Sequence, residues 1–147
     1  MSQRPRELRV ADVMTAGPVT LGPEDTLMRA VEVMRLHGIR RLPIVVGDRL
    51  VGVLAEGDLK RAQPSTLSDT QEEFDRVMEG TNVSRIMIND PVTIEPGAPV
   101  LDAARTLQNS KFGALPVVEG GRLVGILTDN DLLRVLVDLL QSGAGES

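Results

Sequence analysis

The pattern of hydrophobic and polar residues that predicts a helix, two short strands and a further helix occurs twice along this chain. The pattern begins with apolar residues at helical spacing, which in the first half are Leu27, Ala30, Val31 and Met34. Such a stripe predicts an amphipathic helix. Two short apolar runs follow at residues 42–46 and 50–54, and the Gly47-Asp48 pair between them predicts a tight hairpin. A further helix is predicted to begin near Asp58.

The second half of the chain repeats these features 73 residues later. Its helical stripe consists of Val100, Ala103, Ala104 and Leu107. Without any gap, residues 13–61 and 86–134 are identical at 18 of 49 positions. An extended piece is expected before the first helix, at residues 18–21. Each copy is therefore predicted as β-α-β-β-α, and the whole chain as an α/β fold made of two repeats.

The same pattern predicts where the repeats begin and end. The boundaries are an N-terminal tail at residues 1–9, a first repeat at 10–62, a connector at 63–83, a second repeat at 84–141 and a C-terminal tail at 142–147. In the connector, Ser68 and Gln71 have the spacing of a capping box and Gly80 can end a helix, which predicts a helix over about residues 69–79.

Other residues predict where the remaining helices begin and end. Asp25 or Thr26 is expected to cap the first helix, and Pro99 is expected in the first turn of its counterpart. The last helix is predicted over residues 132–141, because Gly143 follows its apolar run.

The composition excludes several classes of function. The chain has no Cys, Trp or Tyr, one His and two Phe, and its formal net charge is -5. Cysteine-based and multi-histidine metal centres are excluded within one chain, so no metal site is predicted. An acidic chain with few aromatic residues is a poor match for nucleic acid. No nucleophile–base pair or phosphate-binding loop is visible, so no enzymatic activity is predicted.

Two further observations concern the membrane and the methionines. The most apolar stretch, residues 132–140, contains Arg134 and Asp138 and is too short to span a bilayer. No apolar segment follows the basic N-terminal residues, so a signal peptide is not predicted and a cytoplasmic location is expected. The methionines of the repeats, which are Met14, Met34 and Met87, are predicted to pack in a core or a dimer interface.

Three short motifs occur in the same order in both copies. In the first copy they are Val13-Met14, Leu42-Pro43-Ile44-Val45 and the run from Gly52 to Asp58; in the second they are Ile86-Met87, Leu115-Pro116-Val117-Val118 and the run from Gly125 to Asp131. Together they resemble the motifs of a tandem pair of CBS domains, or Bateman module. The resemblance covers about residues 9–140, as in a stand-alone CBS pair.

This resemblance implies a fold, a ligand class and an assembly. The two repeats are expected to pack about a pseudo-twofold axis that leaves two clefts. Such clefts commonly bind adenosine compounds, among them AMP, ADP, ATP and S-adenosylmethionine, as regulatory ligands, so no cofactor is expected to be required. The resemblance also implies a homodimer formed through helices.

By the same resemblance, the T-x-x-D motif of the second copy holds the ribose of the ligand, through Thr128 and Asp131. A carboxylate suits this role because it can accept charge-assisted hydrogen bonds from both vicinal hydroxyls. The spacing is also that of an ordinary helix cap, and the two roles can coexist. The first copy keeps Asp58 but has Ala55 in place of the threonine.

The second cleft is therefore expected to be weaker. Besides Asp58, its predicted lining includes Thr93 and Ile94, and Lys111 is a candidate basic residue there. Because no Trp or Tyr can stack on adenine, aliphatic side chains are expected to enclose the base in the stronger cleft. These are Val19, Leu21 and Ile126, with Thr20 beside them.

Two arginines distinguish the clefts further. Arg40 and Arg41 directly precede the first apolar run, where related proteins often carry phosphate-binding residues, and their counterparts are Gly113 and Ala114. If contacts cross between the repeats, both arginines belong to the T-x-x-D cleft and favour a phosphorylated ligand. A solvated turn, or ion pairs with acidic residues, is the alternative interpretation of this pair.

The leading functional hypothesis is a regulatory sensor of an adenine nucleotide. The ligand would favour one arrangement of the repeats through its differential affinity, and an unidentified protein partner would recognise that arrangement. The apolar last helix favours a homodimer. Two alternatives stay open: a constitutive dimeric scaffold with degenerate clefts, or a sensor of S-adenosylmethionine or an NAD-type ligand.

Overall fold

The computed structural model describes residues 8–64, 70–110 and 113–145. The chain forms two compact units, and each is built from parts of both sequence repeats. The continuous unit is Val19–Pro91, and the discontinuous unit combines Met1–Pro18 with Val92–Ser147. The chain therefore passes between the units at Pro18 and at Pro91, whereas the sequence repeats were divided at the connector.

The secondary structure confirms the predicted α/β class and the order β-α-β-β-α in each repeat. The elements are, in chain order, α1 (Val10–Val13), β1 (Thr15–Ala16), α2 (Leu27–His37), β2 (Arg41–Val46), β3 (Arg49–Ala55), α3 (Glu56–Ala62), α4 (Gln71–Gly80), a 3-10 turn (Val83–Arg85), β4 (Ile88–Asn89), α5 (Val100–Gln108), β5 (Ala114–Glu119), β6 (Arg122–Thr128) and α6 (Asp129–Gly145).

Each unit contains an antiparallel sheet with a long hairpin and a two-residue edge strand. In the continuous unit β2 and β3 form the hairpin, and β4 pairs with the other edge of β3. In the discontinuous unit β5 and β6 form the hairpin, and β1 pairs with β6. Gly47 and Gly120 have φ values of 64 and 59 at the hairpin turns, a conformation that glycine adopts without steric cost.

The first strand of each repeat differs from the prediction at residues 18–21. The extended strand lies earlier, at Thr15–Ala16, and pairs with β6 of the second repeat. Leu21 makes only an isolated parallel bridge with Ile44. The prediction was wrong because the apolar run at residues 18–21 contributes only Leu21 to a bridge. The actual strand, Thr15–Ala16, has two residues and is too short to show a hydrophobic periodicity.

In each unit, backbone hydrogen bonds attach a segment from near the start of one repeat to the residues just before the first long helix of the other repeat. In the discontinuous unit, the N–H groups of Val10 and Ala11 donate to the carbonyl oxygens of Ala98 and Pro96, both at 2.9 Å. In the continuous unit, Val83 N–H donates to Asp25 O at 2.8 Å. These residues correspond at the 73-residue offset, so the exchange of segments is reciprocal.

Each unit has its own apolar core. The core of the continuous unit includes Leu27, Leu42, Leu54, Leu59, Met78 and Val83. The core of the discontinuous unit includes Val10, Ala103, Leu107, Leu115, Val117 and Leu127. The predicted core role of the methionines is confirmed, because Met34 is buried while Met14 and Met87 pack against the two cores.

The helix caps agree with the sequence in part. Thr26 caps α2, since its side chain accepts a hydrogen bond from Arg29 N at 3.1 Å, and Pro99 lies at the N-cap of α5. Helix α4 begins at Gln71 with Thr70 as its N-cap, and the predicted cap, Ser68, lies outside the described residues. Gly80 is the last residue of α4, as the prediction required.

The last helix is longer than predicted. It begins at Asp129 and continues through Gly143 to Gly145, because a glycine in a helix interior costs only about 1 kcal/mol relative to alanine. Within residues 8–64, 70–110 and 113–145, no helix combines the length and hydrophobicity needed to cross a membrane.

Candidate ligand-binding site

The T-x-x-D turn joins the end of β6 to the start of α6. The Asp131 carboxylate accepts from Thr128 N–H at 2.9 Å and from the Thr128 hydroxyl at 3.2 Å, both through Oδ2. In return, Thr128 Oγ1 accepts from Asp131 N–H at 3.3 Å. The turn is therefore a closed capping box, and the capping role considered for this motif is realised.

Asp131 is also enclosed and ion-paired. It is 3% exposed and the only buried charged residue among those described, and its Oδ1 accepts from Arg134 Nη2 at 3.1 Å. A carboxylate has about four acceptor positions, of which these contacts occupy three. Chemically, the turn therefore presents a fixed anionic acceptor, with one position on Oδ1 that no donor among the described residues occupies.

The corresponding turn of the first repeat lacks the capping box, because the three hydrogen bonds between Thr128 and Asp131 have no counterpart between Ala55 and Asp58 among the described residues. Ala55 is the N-cap of α3 and makes no side-chain cap. Asp58 pairs with Arg61 through Oδ1, but its Oδ2 is buried and has no hydrogen-bond partner within the described parts of the chain. With alanine at position 55, the hydroxyl that donates to Asp131 Oδ2 in the second repeat has no counterpart for Asp58 Oδ2.

The predicted aliphatic and threonine residues of the stronger cleft are divided between the units. Val19 and Thr20 are half-buried in the continuous unit. Leu21 is 6% exposed, and its backbone is hydrogen-bonded on both sides to β2, through Pro43 O at 3.1 Å and Val45 N at 2.8 Å. Ile126 lies in the discontinuous unit, on β6, and is 7% exposed.

The residues predicted for the weaker cleft are likewise divided. Asp58 lies in the continuous unit, whereas Thr93 and Ile94 lie in the discontinuous unit. Thr93 is exposed and Ile94 is half-buried. Lys111 lies outside the described residues.

Arg40 and Arg41 lie at the start of β2, in the continuous unit. The carbonyl oxygen of Arg40 accepts from Glu56 N–H at 2.8 Å, which ties this position to the first residue of α3. Arg41 pairs across the hairpin with Ala55. Arg40 is exposed and Arg41 half-buried. The expectation that they complete the turn of Thr128 and Asp131 joins residues of two units and stays a prediction.

Within the described ranges, no three acidic, histidine or cysteine side chains come close enough together to hold a metal ion.

A protein-family model described as "CBS domain" matches this chain twice, at residues 10–65 and 83–138. The chain belongs to the CBS-domain family. The CBS assignment that the three motifs suggested is thereby confirmed, and the two matches correspond to the two repeats.

Several relatives share nearly the whole CBS pair. A CBS domain-containing protein of Dictyostelium discoideum is 35% identical over 135 residues, which are 90% of this chain and 93% of the relative. Among solved structures, CBSX2 of Arabidopsis thaliana has a TM-score of 0.79 at 28% identity and covers 90% of this chain and 96% of CBSX2. A structure of CBSX2 in complex with AMP is also similar, with a TM-score of 0.75.

A further solved relative holds other adenosine compounds. The CBS domain pair of protein MJ0100, in complex with 5′-methylthioadenosine and S-adenosyl-L-methionine, has a TM-score of 0.74 at 26% identity. It covers 89% of this chain and 97% of that pair. Other curated relatives are much longer than this CBS pair. The chain spans 21% of an inosine-5′-monophosphate dehydrogenase of Korarchaeum cryptofilum and 46% of a Methanocaldococcus jannaschii protein.

Two features of the CBS pair were missed in the sequence. Arg61 and Arg134 each pair with the aspartate three residues earlier. Both arginines are among the identities at the 73-residue offset, and that identity was the available signal. The second missed feature is the contact of Met14 with Gly125, and of Met87 with Gly52. All four residues belong to the three motifs, but the motifs do not indicate that these residues are in contact.

Proposed function

We propose that this CBS pair senses an adenosine-containing ligand through the T-x-x-D turn of its second repeat. The carrying observation is the Asp131 carboxylate, which is fixed by Thr128 and Arg134 and keeps one acceptor position. A ribose hydroxyl that donates to this oxygen would form a charge-assisted hydrogen bond in an enclosed site. Support for the ligand class comes from CBSX2 and MJ0100, whose structures hold AMP, S-adenosyl-L-methionine and 5′-methylthioadenosine.

Within this class we propose an adenine nucleotide, AMP, ADP or ATP. The support is the Arg40-Arg41 pair, because guanidinium groups match phosphate oxygens in geometry and charge. If the two arginines bind phosphate, Arg40→Ala and Arg41→Ala weaken AMP binding and leave adenosine binding unchanged. If S-adenosylmethionine or NAD binds more tightly than AMP, one of the alternative ligands is the correct one.

The two turns are proposed to differ in strength. Ala55 gives Asp58 no hydroxyl partner, so the first repeat offers a ligand one polar contact fewer than the second. We therefore expect one adenosine ligand per chain at moderate concentrations. A stoichiometry of two with equal affinities would contradict this ranking.

The decisive measurement is isothermal calorimetry with AMP, 2′-deoxy-AMP, ADP, ATP, NAD and S-adenosylmethionine. If Asp131 holds the ribose, the unaltered chain prefers AMP over 2′-deoxy-AMP by about tenfold or more, the size of one hydrogen bond to a charged group. Asp131→Asn should remove this preference and Asp58→Asn should keep it. If none of the six compounds binds, the proposal is wrong.

We also propose that the CBS pair is a cytoplasmic homodimer that passes its ligand state to a downstream protein. The support for a dimer is an exposed apolar stripe on α6. Its members are Leu133, Leu136, Val137 and Leu140, between 49% and 65% exposed. In this mechanism the ligand shifts the arrangement of the repeats by its differential affinity for two states. Light scattering should give twice the chain mass, and Leu136→Glu should give the chain mass.

A constitutive scaffold is the second candidate, and one observation favours it. The capping box and the ion pair occupy most of the acceptor positions of Asp131. A scaffold needs nothing more from this residue. Under this alternative, Asp131→Asn lowers stability but no adenosine compound changes the melting temperature of the unaltered chain.

A further inference from the structure

Residues 8–16 form an arm that packs on the discontinuous unit. Within it, Val10 is completely buried, and Val13 and Met14 pack against the same core. That core also contains Leu127, directly before Thr128, and Leu132, directly after Asp131, packs against it. The arm therefore shares one apolar core with both residues that flank the T-x-x-D turn.

The arm approaches β6 closely at Gly125. A Cβ atom placed on Gly125 would lie 2.5 Å from Met14 Sδ and 3.0 Å from the Thr15 carbonyl oxygen. The methionine sulfur therefore lies where the Cβ atom of any other residue would begin, so a larger residue at position 125 would have to displace the Met14 side chain. Thr15 and Ala16 pair with Ile126 and Gly125, three residues or fewer before Thr128.

The continuous unit repeats this arrangement with its own residues. A Cβ atom on Gly52 would lie 2.6 Å from Met87 Sδ, and Met87 packs against the core that contains Leu54 and Leu59. These two leucines flank Ala55 and Asp58 in the chain. Because two units with different surrounding residues keep the same contact, it is a feature of the fold and not a local accident.

We propose that the arm is a positioning element for the Thr128–Asp131 turn and that Met14 is its principal positioning residue. By holding one edge of β6 and packing beside Leu127 and Leu132, the arm fixes the direction in which the strand enters α6. That direction sets the hydrogen bond from Thr128 N–H to Asp131 and thus the presentation of the carboxylate. The inference rests on the proposed function for its ligand, but its structural part can be tested alone.

The test compares Met14→Ala with Met28→Ala. Met28 is a half-buried methionine that packs against the core of the continuous unit, so it controls for loss of a thioether. The first readout is amide hydrogen exchange of Thr128 relative to Val118, whose N–H donates to Ile94 O at 2.9 Å in the same unit. We expect Met14→Ala to raise this ratio by about tenfold, the size of one net hydrogen bond. Met28→Ala should leave it unchanged.

The second readout is the preference for AMP over 2′-deoxy-AMP. A general loss of stability weakens the binding of AMP and of 2′-deoxy-AMP equally. A displaced Asp131 carboxylate weakens only the binding of AMP, because only AMP carries the ribose 2′-hydroxyl. We therefore expect Met14→Ala to reduce the preference about tenfold and Met28→Ala to leave it unchanged. Gly125→Ala, which forces the sulfur away while keeping Met14, should have the same effect as Met14→Ala.

The outcomes separate the inference from the proposed function. If Thr128 exchanges in Met14→Ala as slowly, relative to Val118, as in the unaltered chain, the arm does not position the turn and the inference is wrong. If the unaltered chain binds no adenosine compound, the proposed function fails, and the exchange ratio alone decides the inference. If Gly125→Ala acts by displacing the Met14 sulfur, combining it with Met14→Ala should give the same exchange ratio as Met14→Ala alone. Slow exchange in the double variant would show that the Met14 side chain does not position the turn, and the inference would be wrong.

Discussion

Replacing Ala55 by threonine tests the physical difference between the two turns. Ala55 is the N-cap of α3 and makes no side-chain hydrogen bond, and Asp58 Oδ2 is buried with no partner among the residues that the structure describes. In the second repeat, a threonine at the same position satisfies both groups. Ala55 has φ -102 and ψ 150, an extended conformation that suits threonine. The change should therefore stabilise the continuous unit.

The expected gain follows from the capping contact. A threonine N-cap is worth about 1 kcal/mol relative to alanine, and an unsatisfied buried acceptor costs about 1–3 kcal/mol. The Asp58 side chain is 20% exposed, so the lower end applies, and one hydroxyl makes both contacts, so the two values do not add. At about 2.1 cal/mol/K per residue over 147 residues, a gain of about 1 kcal/mol raises Tm by about 3 °C.

The assay is calorimetric or fluorescence-monitored thermal unfolding, without ligand, of three variants. Ala55→Val has the shape of threonine without its hydroxyl and should give no gain. Thr128→Ala removes the same hydroxyl beside a more deeply buried carboxylate and should cost about 2 kcal/mol. If Ala55→Val stabilises as much as Ala55→Thr, the gain comes from packing. If Ala55→Thr gives none, the hydroxyl is not the partner that Asp58 lacks.

Three further predictions concern the backbone, a cap and the units. Asp90 has φ 48 where its counterpart Gly17 has φ 56, so Asp90→Gly should stabilise the chain by about 0.5–1 kcal/mol and Gly17→Ala should destabilise it by a similar amount in urea unfolding. Thr26→Ala removes the cap of α2 and should cost about 1 kcal/mol, whereas Thr26→Ser should cost little. A fragment of residues 19–91 contains every core residue of the continuous unit and should unfold cooperatively. A fragment of residues 10–62 lacks Met78 and Val83 from this core and should not unfold cooperatively. Equal cooperativity of the two fragments would contradict the division into units.

The sequence predicted most of the regular elements because their signals are local. Helix α2 follows from the spacing of its apolar residues, and the β2–β3 hairpin follows from Gly47 between two apolar runs. The T-x-x-D turn was predicted for a similar reason, since a capping box depends on two residues three positions apart. Likewise, the missing hydroxyl at Ala55 was visible from the alignment of the two copies.

The segment exchange could not be predicted in this way. The edge strands β1 and β4 contain two residues each, too few to show an alternating pattern. Their pairing with β6 and β3 depends on contacts between residues far apart in the chain, which periodicity does not record. The burial of Asp131 was also not visible, because it results from packing around the start of α6 and not from the polarity of the motif.

The exchange changes how a substitution in either repeat should be interpreted. Val10 and Met14 belong to the first repeat by sequence, yet they pack in the core that adjoins Thr128 and Asp131. Met87 belongs to the second repeat by sequence, yet it packs in the core that adjoins Asp58. Because a lost core contact acts first on the unit that contains it, substitutions at Val10 or Met14 should affect the turn of the second repeat. The turn of each CBS repeat is therefore stabilised by a core that includes residues from the other repeat.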